Sequence, residues 1–218
     1  DCDGVDQDCN DSIDDGLCCL GSTDGDRITE SASNSRTASV VFNGTHFGIA
    51  WEDDRNTTSQ VFFGTAATDF SRVIADTRVN AGTGAVSRVH VAWSDTTSRW
   101  GVLWTEWVDT EEHVFFNVVA DDGTLPLTAP VQLTTAGASA QALDIEWTGT
   151  QFAALYFVDT DPHELSVALL SADGTAASTT VVASTSDLHW DGDLQWTGTE
   201  LAVVWAQRIS GLSQIMVS

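Results

Sequence analysis

An all-β chain of repeated four-stranded antiparallel units is what the sequence predicts, on three observations. Aromatic residues recur at fixed offsets in four copies, apolar and polar residues alternate between them, and no helical period of useful length is present. Phe42-Asn-Gly-Thr-His-Phe47 aligns with Trp147-Thr-Gly-Thr-Gln-Phe152 and with Trp196-Thr-Gly-Thr-Glu-Leu201. The second copy runs from Trp93 to Trp100 with two extra residues. Four residues on stand Trp51, Trp104, Tyr156 and Trp205, and eleven beyond these stand Phe62, Phe115, Val167 and Met216. Fourteen residues before each first aromatic lie Ile28, Val79, Leu133 and Val182. The period is 49–54 residues.

Each copy therefore holds four short strands: one around the Ile28 position, one ending at Phe42, one ending near Trp51 and one around Phe62. Phe47-Gly-Ile-Ala-Trp51 and Leu201-Ala-Val-Val-Trp205 show the alternation of a half-buried strand. Asn43-Gly-Thr and Thr148-Gly-Thr are hairpin turns, where glycine accepts positive φ. Asp122-Gly-Thr and Asp173-Gly-Thr mark a later turn. A four-stranded meander repeated about every 50 residues is the signature of a propeller blade. Immunoglobulin-like modules need about 100 residues each. The expected architecture is thus a β-propeller-like array of four four-stranded blades over residues 23–218. The Ile28 strand could complete the last blade and close the ring, or the chain could be an excerpt of a longer ring; both stay open.

Composition narrows the function classes. The chain has 218 residues and 42% apolar content, so it can bury a core. It carries nine Trp and nine Phe but one Tyr and one Met. All eight basic residues are Arg, and the formal charge is −24 with an isoelectric point near 4.1. Such a field repels phosphate backbones and anionic bilayers, so nucleic acid is excluded as a partner. It favours divalent cations and solubility in salt-rich fluid. No apolar run is long enough for a membrane span, so membrane insertion is not expected. The chain starts at Asp1-Cys2 with no leader and reads as a mature or excised piece.

The N-terminal segment, residues 1–22, is different in kind. All four cysteines, Cys2, Cys9, Cys18 and Cys19, fall in the first 19 residues. A short loop that cannot bury a core is stapled instead, and disulfides imply an extracellular, secreted protein. Zinc competes, but its paired Cys or Cys/His spacings are missing. A bond between adjacent Cys18 and Cys19 is strained. Pairing of Cys2 and Cys9 with Cys18 and Cys19, or with a partner upstream, stays open. Counted from Asp6, the residues Asp6, Asp8, Asn10, Ser12 and Asp14 occupy positions 1, 3, 5, 7 and 9 of an EF-hand-type calcium loop. Alternate short carboxylates on a tightly turning backbone aim their oxygens at one hard cation. Asp11 stands where glycine is usual, and Leu17 where the bidentate Glu is usual. Asp15 is the candidate replacement, and Asp1 and Asp3 extend the register toward a second ion. The expected cofactor is Ca2+.

The stretch Cys-Asp-Gly-Val-Asp-Gln-Asp-Cys-Asn-Asp-Ser-Ile-Asp-Asp-Gly resembles the Asp/Cys-rich metal-binding motif of bacterial secreted proteins and is similar to thrombospondin type-3 calcium repeats. The resemblance covers residues 1–19. It implies secretion and bound calcium in an appendage or linker, and it does not imply an enzyme. The repeats look like blades of bacterial secreted propeller proteins, a likeness at the level of fold.

No catalytic constellation stands out. Ser171-Ala-Asp-Gly-Thr175 is similar to a sialidase Asp-box turn, but it is one residue short and lacks the Trp. Tyr156, the one tyrosine, holds a repeat position and reads as core. Glu52-Asp53-Asp54 and Glu111-Glu112 follow strand ends and read as solvated loops. The five histidines are scattered and read as surface or structural. Trp100, Trp107 and Trp190 lie outside the strict repeat positions and are candidates for stacking on a sugar. The expected function is an extracellular calcium-binding structural or adhesion module, non-catalytic, with other extracellular proteins or glycans as partners. The alternative is a lectin or glycosidase built on the propeller.

Overall fold

The computed structural model describes residues 27–29, 31–127 and 129–218. The chain divides into Asp1–Glu30 and Ser31–Ser218. The calcium-loop residues Asp1, Asp3, Asp6, Asp8, Asn10, Ser12, Asp14 and Asp15 lie outside the described residues. So do Cys2, Cys9, Cys18 and Cys19.

The larger unit is all-β. Blade 1 is the meander β1 (Ser35–Phe42), β2 (His46–Asn56), β3 (Thr58–Ala67) and β4 (Arg72–Arg78). Blade 2 is β5 (Val86–Ser94), β6 (Arg99–Val108), β7 (Glu111–Ala120) and the short β8 (Val131–Gln132). Blade 3 is β9 (Ala140–Trp147), β10 (Gln151–Val158), β11 (Glu164–Ser171) and β12 (Ala176–Ser184). Blade 4 has three strands among the described residues: β13 (Leu188–Trp196), β14 (Leu201–Ile209) and β15 (Leu212–Val217). Every pairing is antiparallel. The hairpins turn where the sequence places glycine, with φ of 99° at Gly44 and 84° at Gly149.

The repeats are as the aromatic offsets predict, but their phase is shifted. Val79 and Leu133 directly follow β4 and β8, and Val182 lies in β12. These residues end a blade; they do not begin one. Ile28 lies in no strand.

Packing between blades explains why the repeats look as they do. The first strands β1, β5, β9 and β13 neighbour one another in that order, which makes them the inner strands. A separate apolar cluster fills each blade interface. Ala50, Phe63 and Trp100 join blades 1 and 2, Phe116 and Phe152 join blades 2 and 3, and Leu155 and Trp205 join blades 3 and 4. In blades 1 to 3 a small residue follows the aromatic near the start of the second strand, and in blades 1 and 2 it receives the equivalent side chain of the next blade. A Cβ on Gly48 would come 2.4 Å from the Trp100 ring, and one on Gly101 would come 2.7 Å from Phe152. Ala153 and Leu201 repeat the arrangement at the third interface. Close packing of this kind makes each blade register on its neighbour.

Two acidic residues expected in solvated loops are core. Glu52 is buried and Asp53 is fully so. Asp53 survives there because donors surround it. Arg55 donates from Nε and Nη2 at 2.9 and 2.8 Å, and Ser33 and Ser35 donate at 2.7 and 2.9 Å. Burial pushes its pKa up, but the Arg55 and serine donors outweigh burial and hold the carboxyl below the usual carboxylate range.

Candidate active site at the propeller axis

The inner strands end in the aromatics Phe42, Trp93, Trp147 and Trp196. Three residues earlier, in repeat-equivalent places, stand Ser39, His90, Asp144 and Asp193. Each inner strand breaks register close to this point: between Arg36 and Ser39, between Ser87 and His90, opposite Leu155/Tyr156, and between Leu188 and Gly192. A bulge re-aims the side chains that follow it, and bulges gather at functional sites. Arg88 and Thr37, two residues before His90 and Ser39, have φ of 52° and 50°, a left-handed backbone rare for non-glycine residues.

Neighbouring blades are joined at this position. The amide of Val91 in blade 2 donates to Ser39 Oγ of blade 1 at 3.2 Å. The equivalent amide, Leu194 of blade 4, donates to Asp144 Oδ2 of blade 3 at 3.0 Å. Leu194 N–H also reaches Asp193 Oδ1 at 2.9 Å, and Ile145 N–H reaches Asp144 Oδ1 at 2.8 Å. One amide thus serves two carboxyl groups of neighbouring blades.

Two carboxylates in contact cannot both ionise cheaply. Burial pushes the Asp144 carboxyl up to about 7, the bond to Asp193 adds to it, and the two backbone donors oppose it. Asp144 is half-buried and Asp193 is exposed, so the pair is within reach of solvent or a ligand. His90 is pushed the other way, to about 4, by burial and by the Arg88 charge, which together outweigh the attraction of Asp193. It is therefore neutral at pH 7. Two residues along β9, Glu146 is raised by burial, and Gln195 Nε2 donates to its Oε1 at 2.8 Å. The axis thus gathers two carboxyl groups on one amide, with Asp144 raised to about 7, a third carboxyl group, Glu146, a neutral imidazole and a guanidinium.

None of these residues was singled out by the sequence. A lone His or Asp in a strand reads as a surface residue, and only alignment on the aromatics shows four polar residues at one repeat position. The tryptophans divide. Trp100 is 0% exposed, wedged against Phe63, Trp93 and His46, which leaves it no face for a sugar. Trp107, at the end of β6, is 46% exposed. Trp190 belongs to β13, and its side chain lies outside the described residues. Tyr156 is core, as its repeat position predicts. Among the described residues no group of three His, Cys, Asp or Glu could hold a metal ion.

No protein-family model and no curated protein sequence matches the chain. Solved structures do match its fold. The catalytic domain of a GH62 α-L-arabinofuranosidase from Coprinopsis cinerea aligns with a TM-score of 0.51 at 9% identity, over 88% of this chain and 67% of that one. A subtype N10 neuraminidase-like protein of a little yellow-shouldered bat isolate aligns at 0.57 and 11% identity, over 85% and 58%. An exo-β-1,3-galactanase from Phanerochaete chrysosporium, with β-1,3-galactotriose, aligns at 0.54 and 14% identity, over 79% and 44%. At these identities the likeness is one of fold, and the chain spans two thirds or less of each neighbour's length. It nevertheless corrects the expected function. Enzymes acting on glycosides carry this fold, so the reading as a non-catalytic calcium-binding or adhesion module, and as no enzyme, gives way to the carbohydrate-directed alternative.

Proposed function

We propose that the chain is a glycosidase propeller whose proton donor is the Asp144–Asp193 pair. The observation that carries this reading is the Leu194 amide that joins the Asp144 and Asp193 carboxyl groups across the blade 3–4 interface, where burial and the neighbouring Asp193 raise Asp144 to about 7. Glycoside hydrolysis needs an acid to protonate the leaving oxygen and a second carboxylate to act as nucleophile or to activate water. An acid titrating near the working pH is the most effective donor. Glu146, beside the pair on β9, is the candidate second carboxylate. The charge of −24 favours neutral glycans over anionic ones. The fold likeness to glycoside-acting enzymes supports the same class.

The test is turnover of 4-nitrophenyl α-L-arabinofuranoside, 4-nitrophenyl β-galactoside and β-1,3-galactotriose by the intact chain and by Asp144→Asn and Asp193→Asn. Hydrolysis is expected to fall by about 100-fold or more in both variants. Saccharide binding without turnover would make the propeller a lectin. Neither binding nor turnover would sink the reading.

The Asp/Cys-rich segment is proposed, on its sequence, to bind calcium as an appendage of a secreted chain. Calorimetric titration with Ca2+ is expected to give saturable heat that is lost in Asp6→Ala/Asp8→Ala, and no heat in the parent chain would refute it.

A further inference from the structure

Two residues after Trp51, Trp104 and Trp205 the repeat places Asp53, Glu106 and Gln207, and in each case the indole N–H donates to the polar side chain, at 3.4, 3.0 and 3.4 Å. In blade 1 this carboxylate has a cation of its own. Arg55 stands two residues beyond Asp53, grips both its oxygens, reaches Asp76 at 2.7 Å and lies 3.9 Å over the Phe62 ring. Phe62 in turn stacks on Trp51.

Blade 2 rebuilds most of that cradle. Glu106 takes the place of Asp53, and Phe115 takes the place of Phe62 and stacks on Trp104 at 6.0 Å. The two groups that complete blade 1 are replaced: Val108 stands where Arg55 does, and Pro130 where Asp76 does. In their place is a cleft of about 510 Å³ lined by Glu106, Val108, Phe115, Pro130 and the Gly82–Gly84 loop. Glu106 is 3% exposed. Its Oε2 accepts from Trp104 and, at 3.5 Å, from Asn80, while Oε1 takes no hydrogen bond among the described residues. Arg78 directs its Nε to Asn80 and its Nη2 to Gln60 and the Gly82 carbonyl, and it forms no ion pair with Glu106 among the described residues. A Cβ on Gly82 would come 1.8 Å from Oε1, so the loop packs directly against the carboxylate. A buried carboxylate without a paired cation is costly.

We infer that this cleft is a binding site for a small organic cation, a guanidinium-sized group that takes the place Arg55 fills in blade 1. The carboxylate supplies charge-assisted acceptors, the Phe115 ring supplies a π face, and Val108 and Pro130 supply the apolar wall. The site is separate from the axial carboxyl pair and does not depend on the glycosidase reading.

The inference is tested by titrating methylguanidine, and glucosamine as an ammonium counterpart, into the whole chain by calorimetry. Saturable methylguanidine binding is expected, weakened about tenfold or more in Glu106→Gln. N-acetylglucosamine, the uncharged analogue of glucosamine, is expected not to bind at this site. Val108→Arg should rebuild the blade-1 pair, abolish methylguanidine binding and raise the melting temperature by about 3 °C, whereas Val108→Met should not raise it. Binding indifferent to Glu106→Gln, no binding of either cation, or a Val108→Arg chain no more stable than Val108→Met would each overturn it. The binding readout uses no turnover, so the axial acid and this cleft succeed or fail independently.

Discussion

Asp53 in blade 1 and Asp144 at the axis are both carboxyl groups taken out of water, and their chemistry is opposite. Asp53 is the more deeply buried, yet it is held below the usual carboxylate range, while Asp144 is pushed up to about 7. The difference lies in the neighbours. Asp53 faces a guanidinium and two hydroxyls; Asp144 faces two amides and another carboxyl group. Burial alone sets neither value. A carboxylate ringed by donors is structure, and a carboxyl group set against its own kind is a source of protons.

The largest effect expected from breaking this contrast is on the structural side. Asp53→Ala strands Arg55 and the two serines, and about 3 kcal/mol should be lost in equilibrium denaturation at pH 7, since one partner of a buried pair remains uncompensated. A loss under half that size would mean that Asp76 alone can hold Arg55. A smaller effect, readable in its sign, is expected at the axis. The folded chain holds the Asp144 proton more tightly than the unfolded chain does. The stability from Asp144 is therefore fully present below pH ~4 and lost as pH rises to about 7. Asp144→Asn should remove that falling limb. Asp53 works in the opposite sense: its stabilisation is present above pH ~4 and lost as pH falls below it. His90, raised by the Asp193 charge but lowered more by burial and Arg88, destabilises the fold as pH drops from 6.5 to about 4. Glu146 faces the same axis and is raised, so the chain minus Asp144→Asn difference curve isolates the Asp144 contribution. A flat difference between pH 4 and 7 would show that folding does not raise the Asp144 carboxyl.

Much of the fold was legible because it rests on local chemistry. Aromatic offsets and Gly turns located the strands, and β1, β3 and β7 carry Phe42, Phe62 and Phe115 where the repeat puts them. The phase was not legible. A strand at the end of one blade and one at the start of the next are equally near in sequence, and only packing assigns Val79 and Val182 to the outer edge. The site was less legible still. Asp144 and Asp193 stand 49 residues apart, and His90 stands on a third strand. Each is unremarkable alone and acquires its chemistry from inner strands meeting at an axis. The error over Asp53 has the same root, because its partners Ser33 and Ser35 come from the neighbouring strand region and not from its own loop.

The Leu194 amide bridges two carboxyl groups that belong to different blades. Neither blade 3 nor blade 4 by itself contains the proton-sharing pair; it comes into being when the two dock. Refolding at pH 6 should therefore draw a proton from the buffer at the moment of docking and not when the sheets form. A pH-indicator dye would then time the docking of blades 3 and 4, and a chain with that interface open would lack the paired carboxyl groups.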